Sequence, residues 1–343
     1  MSRRLSALAA SAALGLAACA PTVTPAPSAA KPSPAPRSEV FESEDFIVTF
    51  ARWRDTPERL AARFLGDPAK AWMIADYNER SEFARGQEVV IPKRPWTPAG
   101  VSARGYQLVP VLVYHNIGAQ ARGRLVIAAS AFEEQMRYLK RAGYRVIRLE
   151  DLIEYTTLGR QLPRKSVVLT FDDGYKSFLR HGYPLLRKLG FTATLFVYTD
   201  YVSSGSNAMD WDDLRRLADE GFTIGAHSKT HGDLRRRAGE PMEAFTRRMQ
   251  GELATPLQLF KARLGREPRV LAYPYGAHDD DVADKVREHG YVAAFSVRRE
   301  GNPSFVHPLR IHRSQIYAEM TLEEFARNLT VFHQESLPPE AGP

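Results

Sequence analysis

The stretch Ser166-Val-Val-Leu-Thr-Phe-Asp172-Asp173-Gly174-Tyr175 decides the fold. Its apolar and β-branched residues, with no polar break between Ser166 and Thr170, are typical of a strand buried on both faces. The strand ends at two adjacent carboxylates and a glycine. In an α/β barrel the loops after the strand ends build the active site, so acids placed here favour chemistry. Asp-Gly is also a common turn dipeptide, and these residues alone leave both interpretations open.

A second short apolar run, Phe222-Thr-Ile-Gly-Ala226, is followed by His227 and His231. Imidazoles four residues apart share a face if the segment turns helically. A single histidine is more often a surface or core residue, but a pair at this spacing after a strand favours a metal site. With Asp173 the set becomes two nitrogens and one oxygen, which suits zinc or a similar divalent ion. Asp172 is then free to act as a base.

The motifs Thr170-Phe-Asp-Asp-Gly174 and His227-Ser-x-x-His231 resemble the first two motifs of the polysaccharide deacetylase family, also called the NodB-like or carbohydrate esterase family 4 fold. The likeness extends from about Val109 to about Phe332. Repeated strand-helix units in residues 106–335 predict an α/β fold with a parallel sheet. The resemblance turns this expectation into a distorted, incomplete (β/α) barrel.

The resemblance also implies a metal-dependent N-deacetylase acting on a glycan. A divalent metal, most simply zinc, would be its cofactor. The implied roles are general base, metal ligands, oxyanion donor through the backbone N–H, and groove-lining residues. The general base would be Asp172, and the metal ligands would be Asp173, His227 and His231. Tyr175 would be the oxyanion donor, and Tyr273, Pro274 and Tyr275 would line the groove. The alternative for the two tyrosines Tyr273 and Tyr275 is ordinary packing.

The sequence departs from the family pattern at Ala272, where many members carry an arginine that orients the catalytic carboxylate. The departure leaves open what orients Asp172. The Asp-and-Trp motif of the family is also not recognisable in residues 293–303. The remaining Ala-x-Pro-Tyr-Gly pattern at 272–276 resembles the branch that deacetylates poly-N-acetylglucosamine, and that branch also begins with a strand ending in Tyr-His.

Two histidines are candidates for the general acid. His312, in Arg310-Ile-His312, lies roughly where most of the family has a Leu-x-His motif. In the exopolysaccharide branch the acid motif looks circularly permuted to the front of the domain. At the front of this domain, Tyr114-His115 ends an apolar strand, and the resemblance to that branch therefore favours His115. The alternative for His115 is a structural hydrogen bond at a strand end.

The N-terminus has the layout of an exported protein. Residues 1–18 carry Arg3 and Arg4 before an apolar stretch too short to span a bilayer, as in a signal peptide. Leu16-Ala17-Ala18-Cys19 resembles a bacterial lipobox, so we predict lipidation of Cys19, the only cysteine of the chain. Residues 19–43 form a Pro/Ala/Ser-rich linker. We expect a lipid-anchored protein of the cell envelope, on the outer membrane facing the periplasm.

Residues 44–97 form a compact unit with the order strand, helix, helix, strand. This order resembles a LysM domain, a module that binds N-acetylglucosamine-containing glycans. The usual Gly-Asp-Thr turn appears here as Arg54-Asp55-Thr56. The alternative is a small α+β packing domain that binds no ligand.

The formal net charge of +7 does not indicate a nucleic-acid protein, because the chain has an export signal and no recognised nucleic-acid module. The expected partner is an N-acetylated polysaccharide, either poly-N-acetylglucosamine or peptidoglycan. Two alternatives stay open. One is an esterase that removes O-acetyl groups from a polysaccharide, and the other is a glycan-binding lipoprotein whose barrel is catalytically impaired.

Overall fold

The computed structural model describes residues 40–267 and 269–335. The predicted signal peptide of residues 1–18, the predicted lipidation site Cys19 and residues 20–39 of the predicted linker lie outside the described residues. Within the described ranges, no helix combines the length and apolarity needed to cross a membrane.

The N-terminal subdomain, residues 40–92, is a three-stranded antiparallel sheet with two helices. Its elements are β1 (Val40–Glu42), β2 (Phe46–Phe50), α1 (Pro57–Leu65), α2 (Ala71–Tyr77) and β3 (Glu88–Pro92), with β2 in the centre. Helix α1 begins at Pro57, because the Thr56 side chain accepts a hydrogen bond from the N–H of Arg59 and Pro57 occupies the first turn. The sequence predicts a linker to residue 43, whereas β1 pairs with β2.

The following domain alternates strands and helices. Its first elements are β4 (Val101–Ser102), β5 (Gly105–Gln107), β6 (Val111–Tyr114), β7 (Asn116–Gly118), β8 (Val126–Ala128), α3 (Ala129–Arg141), β9 (Arg145–Val146), α4 (Leu149–Thr156), β10 (Ser166–Asp172), α5 (Tyr183–Leu189) and β11 (Thr194–Val197). The later ones are α6 (Trp211–Asp219), β12 (Thr223–Ala226), α7 (Met242–Leu264), β13 (Val270–Ala272), α8 (Asp280–Glu288), β14 (Ala293–Phe295), β15 (Ser314–Gln315), α9 (Leu322–Ala326) and β16 (Phe332–Gln334).

The central sheet is parallel, in the order β14-β13-β12-β11-β10-β6-β15, with β9 paired to the start of β10. It curls strongly, because the segment leading into β15 reaches the opposite edge. Ile311 forms a parallel bridge with Phe295 of β14, while Ser314 and Gln315 pair with β6. The expected α/β fold with a distorted, incomplete barrel is confirmed.

Strand β10 is the centre of this arrangement. Every one of its residues is buried, as the apolar run predicts. It delivers Asp172 to the carboxyl end of the sheet, and β12 delivers His227 to the same end two strands away. Between β10 and α5 the chain forms a π-helical turn at Phe178–Gly182.

The N-terminal subdomain contacts the barrel near the start of β10. Just after the subdomain, the backbone N–H groups of Trp96 and Thr97 donate hydrogen bonds to the Gln161 side-chain oxygen at 2.9 and 3.0 Å. Asp76 of α2 accepts one from the N–H of Arg164 at 3.0 Å. A strand rises about 3.3 Å per residue, so these contacts lie roughly 20 Å along β10 from Asp172. The subdomain is attached at the end of the barrel that does not carry the carboxylates.

Candidate active site at the carboxyl ends of the strands

The segment after β10 is both an Asp-Gly turn and a strand end that presents two carboxylates, the two interpretations that its sequence leaves open. Asp173 and Gly174 have φ values of 72° and 84°, in the left-handed region that favours glycine. A Cβ on Gly174 would lie only 3.0 Å from Cγ1 of Val197. The Asp-Gly turn therefore exists, and it presents two acidic side chains in different directions. A non-glycine residue in this conformation at a strand end is a feature of functional sites.

Asp172 is held by an arginine from the segment that closes the barrel. The guanidinium of Arg313 donates to both carboxylate oxygens, at 2.7 and 2.8 Å. It also donates to the hydroxyl of Thr170 at 3.2 Å and to the carbonyl of Ser296 at 3.0 Å. The Arg313 side chain is fully buried, with its guanidinium over the ring of Phe196. The question that Ala272 raises is answered by a residue that sequence analysis missed.

This contact decides the charge of Asp172. Burial alone would raise the pKa of its carboxyl, but the guanidinium of Arg313 and the imidazole of His227 outweigh burial and lower the pKa to about 2. The carboxyl is therefore ionised at neutral pH. A buried, ionised carboxylate with fixed orientation is suited to accept a proton.

The three predicted metal ligands lie together. Asp173, His227 and His231 each offer a ligand atom, and these atoms lie within 4.8 Å of one another. The Nδ1 of His227 is 2.7 Å from the carbonyl oxygen of Ala272, which leaves its Nε2 toward the cluster. Burial lowers the pKa of His227 to about 4, so its imidazole is neutral at physiological pH. A neutral imidazole is the form that binds metals.

The donor set fits a divalent cation. Oδ1 of Asp173 is buried and accepts no hydrogen bond from any described residue, although Nε2 of His231 lies 3.3 Å away and Nε2 of His227 lies 3.7 Å away. Burial and the neighbouring charge of Asp172 raise the pKa of Asp173 to about 6. A cation would satisfy this carboxylate oxygen and keep the group ionised.

Tyrosine side chains surround the cluster. The ring centroid of Tyr175 lies 5.7 Å from that of Tyr201. Tyr198 and Tyr201, which follow β11, stack with ring centroids 5.1 Å apart. The ring of His231 lies 5.1 Å from that of Tyr198 and 4.8 Å from that of Tyr275. Sequence analysis missed Tyr198 and Tyr201, although their position directly after a buried apolar strand is the same signal that identifies Asp172.

The backbone N–H of Tyr175 is not a donor in any hydrogen bond among the described residues. Its neighbours in the chain pair with the 207–209 segment, since Lys176 N–H donates to Asn207 and Met209 N–H donates to Gly174. Tyr175 itself sits between these two bonds, in an isolated bridge with Ala208. Its N–H is thus available to another acceptor.

The three residues predicted to line a groove separate in the structure. Tyr275 is 66% exposed. Tyr273 is fully buried, its hydroxyl donates to the carbonyl of Leu309 at 2.9 Å, and its ring stacks on His278. Pro274 is also buried. The groove assignment of Tyr273 is therefore wrong, because its side chain points into the core.

The two candidate acids lie in different surroundings. His115 follows β6, its Nδ1 is buried without a hydrogen-bond partner among the described residues, and its charge acts on the pKa of both Asp172 and Asp173. His312 points elsewhere, with its Nδ1 3.3 Å from Glu300, and its N–H donates to Asn302. The structure brings His115 to the carboxylates and leaves His312 outside that set.

Comparisons with known proteins agree with this geometry. Residues 159–294 match the family model for polysaccharide deacetylase. The poly-beta-1,6-N-acetyl-D-glucosamine N-deacetylase of Escherichia coli strain K12 is 22% identical over 287 residues, covering 73% of this chain and 41% of its own. The protein of that name from Staphylococcus aureus strain MSSA476 is 23% identical over 181 residues, covering 51% of this chain and 62% of its own.

A solved structure shares the fold. The Streptococcus pyogenes deacetylase PplD, in complex with acetate, superposes with a TM-score of 0.58 at 21% identity. The match covers 66% of this chain and 99% of that chain. The chain spans between 41% and 66% of the length of the first curated relatives.

Proposed function

We propose that the chain, whose residues 159–294 match the family model for polysaccharide deacetylase, is a metal-dependent hydrolase that removes N-acetyl groups from an N-acetylglucosamine-containing polysaccharide. The observation that carries the proposal is that an oriented carboxylate and a cluster of metal-ligand side chains lie together at the carboxyl end of the sheet. An arginine-held carboxylate, Asp172, lies beside a cluster of two imidazoles and a second carboxylate that fits a divalent cation. The names of the relatives support an N-acetylated glycan as the substrate class.

Asp173, His227 and His231 would hold the metal, which we propose to be zinc. When bound, such an ion supplies Lewis acidity and lowers the pKa of water toward about 7. Residues of this chain would carry out the proton transfer and stabilise the developing negative charge. Asp172, ionised and oriented by Arg313, accepts the proton of the attacking water. The free N–H of Tyr175 donates to the carbonyl oxygen as negative charge develops there.

The leaving amine needs a proton, and His115 is the group that we propose to supply it. Its imidazole lies close enough to Asp172 and Asp173 to lower the pKa of both carboxyl groups. Tyr198, Tyr201 and Tyr275 would contact the sugar rings, because aromatic faces pack against the apolar faces of pyranoses. The ring of His231 contacts those of Tyr198 and Tyr275, so this aromatic surface adjoins the metal cluster.

The direct test is an assay of the zinc-loaded chain with β-1,6-linked N-acetylglucosamine oligomers and with peptidoglycan. We expect acetate and free amine to appear in equal amounts on one of them. Acetate released from an O-acetylated glycan without free amine would instead identify the alternative, an O-acetyl esterase. No acetate from any of these polymers, with metal bound, would contradict the proposal.

The contact between Arg313 and Asp172 weakens the case for the alternative, a catalytically impaired glycan-binding protein. That interpretation depends on the missing family arginine at position 272. Arg313, which lies just before β15, places a guanidinium on the same carboxylate through two short hydrogen bonds. Each group that deacetylation requires is therefore represented among the described residues.

We predict that His115→Ala keeps its metal but loses about 10²-fold or more in kcat on amide substrates. The physical reason is that an amine leaving group departs only when protonated. On an ester with a good leaving group the loss should be much smaller. His312→Ala serves as the matched control and should retain near-normal kcat. Normal amide turnover by His115→Ala, together with collapse of a metal-replete His312→Ala, would reverse the assignment.

We propose that the N-terminal subdomain is a LysM-like glycan-binding unit. Deleting residues 44–95 should leave turnover of short soluble oligosaccharides largely intact, because the subdomain attaches far from Asp172. Association with insoluble glycan should weaken, since a separate module supplies effective concentration rather than chemistry. Co-sedimentation with peptidoglycan or chitin measures this. Unchanged sedimentation would count against a glycan-binding role. A fall in thermal stability is expected from the loss of the contact between Asp76 and the N–H of Arg164.

We also propose that the chain is anchored in the cell envelope through lipidated Cys19. Cys19→Ser should move the protein from the membrane fraction to the soluble fraction, because a lipid anchor requires the thiol. Fractionation of expressing cells, with metabolic labelling by a fatty acid, checks the prediction. A labelled, membrane-bound Cys19→Ser protein would exclude this site.

A further inference from the structure

Glu252 is a buried carboxylate that the proposed chemistry does not use. It lies on α7, a helix that sequence analysis does not predict, and it is 8% exposed. One carboxylate oxygen accepts hydrogen bonds from two successive backbone N–H groups, those of Lys229 and Thr230, both at 3.0 Å. The other oxygen accepts the hydroxyl of Thr230 at 2.7 Å. Three donors from one short segment therefore converge on this side chain.

That segment, residues 228–231, connects the two histidines of the cluster. It is conformationally unusual, because Ser228 and His231 have φ values of 66° and 62°. Side chains with a Cβ rarely adopt such values, and they persist only where surrounding contacts impose them. Inside the segment, the N–H of His231 donates to the hydroxyl of Ser228 at 3.0 Å.

The other side of the segment is held by the loop after β11. The carbonyl of Ser228 accepts from the N–H of Thr199, and the carbonyl of Lys229 accepts from the N–H of Asp200 at 3.0 Å. Lys229 also pairs with Asp200 through its ammonium group at 2.7 Å. The loop after β11 binds the carbonyl groups, whereas Glu252 binds the N–H groups. Two successive N–H groups form a concavity that favours an anion.

We propose that Glu252 is a positioning residue for the metal site, which fixes the 228–231 segment so that His231 meets Asp173 and His227. The inference rests on the proposed function only in taking the cluster to bind a divalent metal. Only a carboxylate offers two acceptor oxygens to three donors, and an amide offers one. Loss of the carboxylate would release the backbone that places His231, while Asp173 and His227 stay directly after the ends of β10 and β12.

The test uses the full chain with Glu252→Ala, Glu252→Gln and the control Glu243→Ala. Glu243 lies on the same helix but is exposed and pairs with Arg247, so its loss does not touch the site. Zinc affinity is measured by competition with a chromophoric chelator. Amide hydrogen exchange at Lys229 and Thr230 is measured on the metal-free protein.

We expect Glu252→Ala to weaken zinc binding about 10- to 100-fold, the usual effect of removing a group behind the ligands. Exchange at the two amides should accelerate at the same time. Glu252→Gln should fall between the parent and Glu252→Ala, since its carbonyl oxygen can still accept the two backbone donors. Glu243→Ala should match the parent in both measurements.

Parent-like zinc affinity and parent-like exchange in Glu252→Ala would overturn the inference. Accelerated exchange with unchanged zinc affinity would also overturn it, because Glu252 would then stabilise the segment without serving the site. A parent protein that binds no zinc would instead contradict the proposed function. In that case the exchange measurement still decides whether Glu252 fixes the segment.

Discussion

Alanine at Asp173, His227 or His231 is expected to remove bound metal and activity together. The three side chains are the one group of suitable ligands found among the described residues, and each contributes a single ligand atom, which leaves no redundancy. Lewis acidity contributes several kcal/mol to such a reaction, so the expected loss in kcat/KM is roughly 10³-fold or more. Metal content after dialysis, measured together with acetate release, checks this.

The matched control for these variants is His333→Ala. His333 lies on β16, which pairs with β5 outside the central sheet, and its side chain is about half exposed. It should keep both metal and activity. Full metal occupancy in any one of the three ligand variants would show that this residue is not a ligand. Full metal occupancy in all three variants would show that the proposed metal site is wrong.

The proposed base and metal ligands were predictable because each lies close in sequence to an apolar run that indicates a strand. Asp172 and Asp173 follow directly on a run that reads as a buried strand, and His227 follows a second such run. Parallel strands place their carboxyl ends at one edge of a sheet, so two such endings are sufficient to predict convergence. The same reasoning identifies His115 after β6. Neither inference requires knowledge of which strands are adjacent.

Other parts of the site depend on contacts that the sequence does not reveal. Arg313 lies 141 residues from Asp172 in the chain. Nothing near it distinguishes it among the 47 basic residues. Its role follows from the closure of the barrel, which brings the segment from Ile311 to β15 between β14 and β6. Sequence analysis also missed Glu252, because its hydrogen-bond partners Lys229 and Thr230 lie more than twenty residues earlier in the chain.

Tyr273 shows the opposite error. Its place next to a family motif suggests a groove residue, but it immediately follows β13, and its side chain enters the core to reach the carbonyl of Leu309. Motif proximity identifies the segment that approaches a site, whereas the direction of each side chain depends on strand register. Tyr275, two residues later, is the exposed member of the pair.

Arg313→Ala is expected to damage both stability and catalysis. Removing one partner of a buried ion pair leaves the other charge uncompensated, which lowers the free energy of unfolding by about 3–5 kcal/mol. The base also loses the two hydrogen bonds that orient it, so kcat should fall by about 10²-fold or more. Arg313→Lys keeps a positive charge without the two-pronged geometry, and we expect an intermediate loss in both quantities.

The pH dependence of unfolding separates loss of the ion pair from general disruption. In the parent, Arg313 lowers the pKa of Asp172 below its usual value, and this stabilisation is complete at pH 5 and above. Without Arg313, burial raises the pKa of Asp172 above its unfolded value, so the folded state gains stability as the pH falls. The penalty of Arg313→Ala should therefore be smaller at about pH 5 than at about pH 7.5.

A double variant gives the sharpest test of this assignment. Asp172→Asn removes the buried charge, so Arg313→Ala/Asp172→Asn should be less destabilised than the sum of the two single variants. Both Asp172→Asn and the double variant should be inactive, because the base is absent in each. Additive losses of stability, or near-parent kcat in Arg313→Ala, would show that Arg313 stabilises the barrel closure without orienting the base.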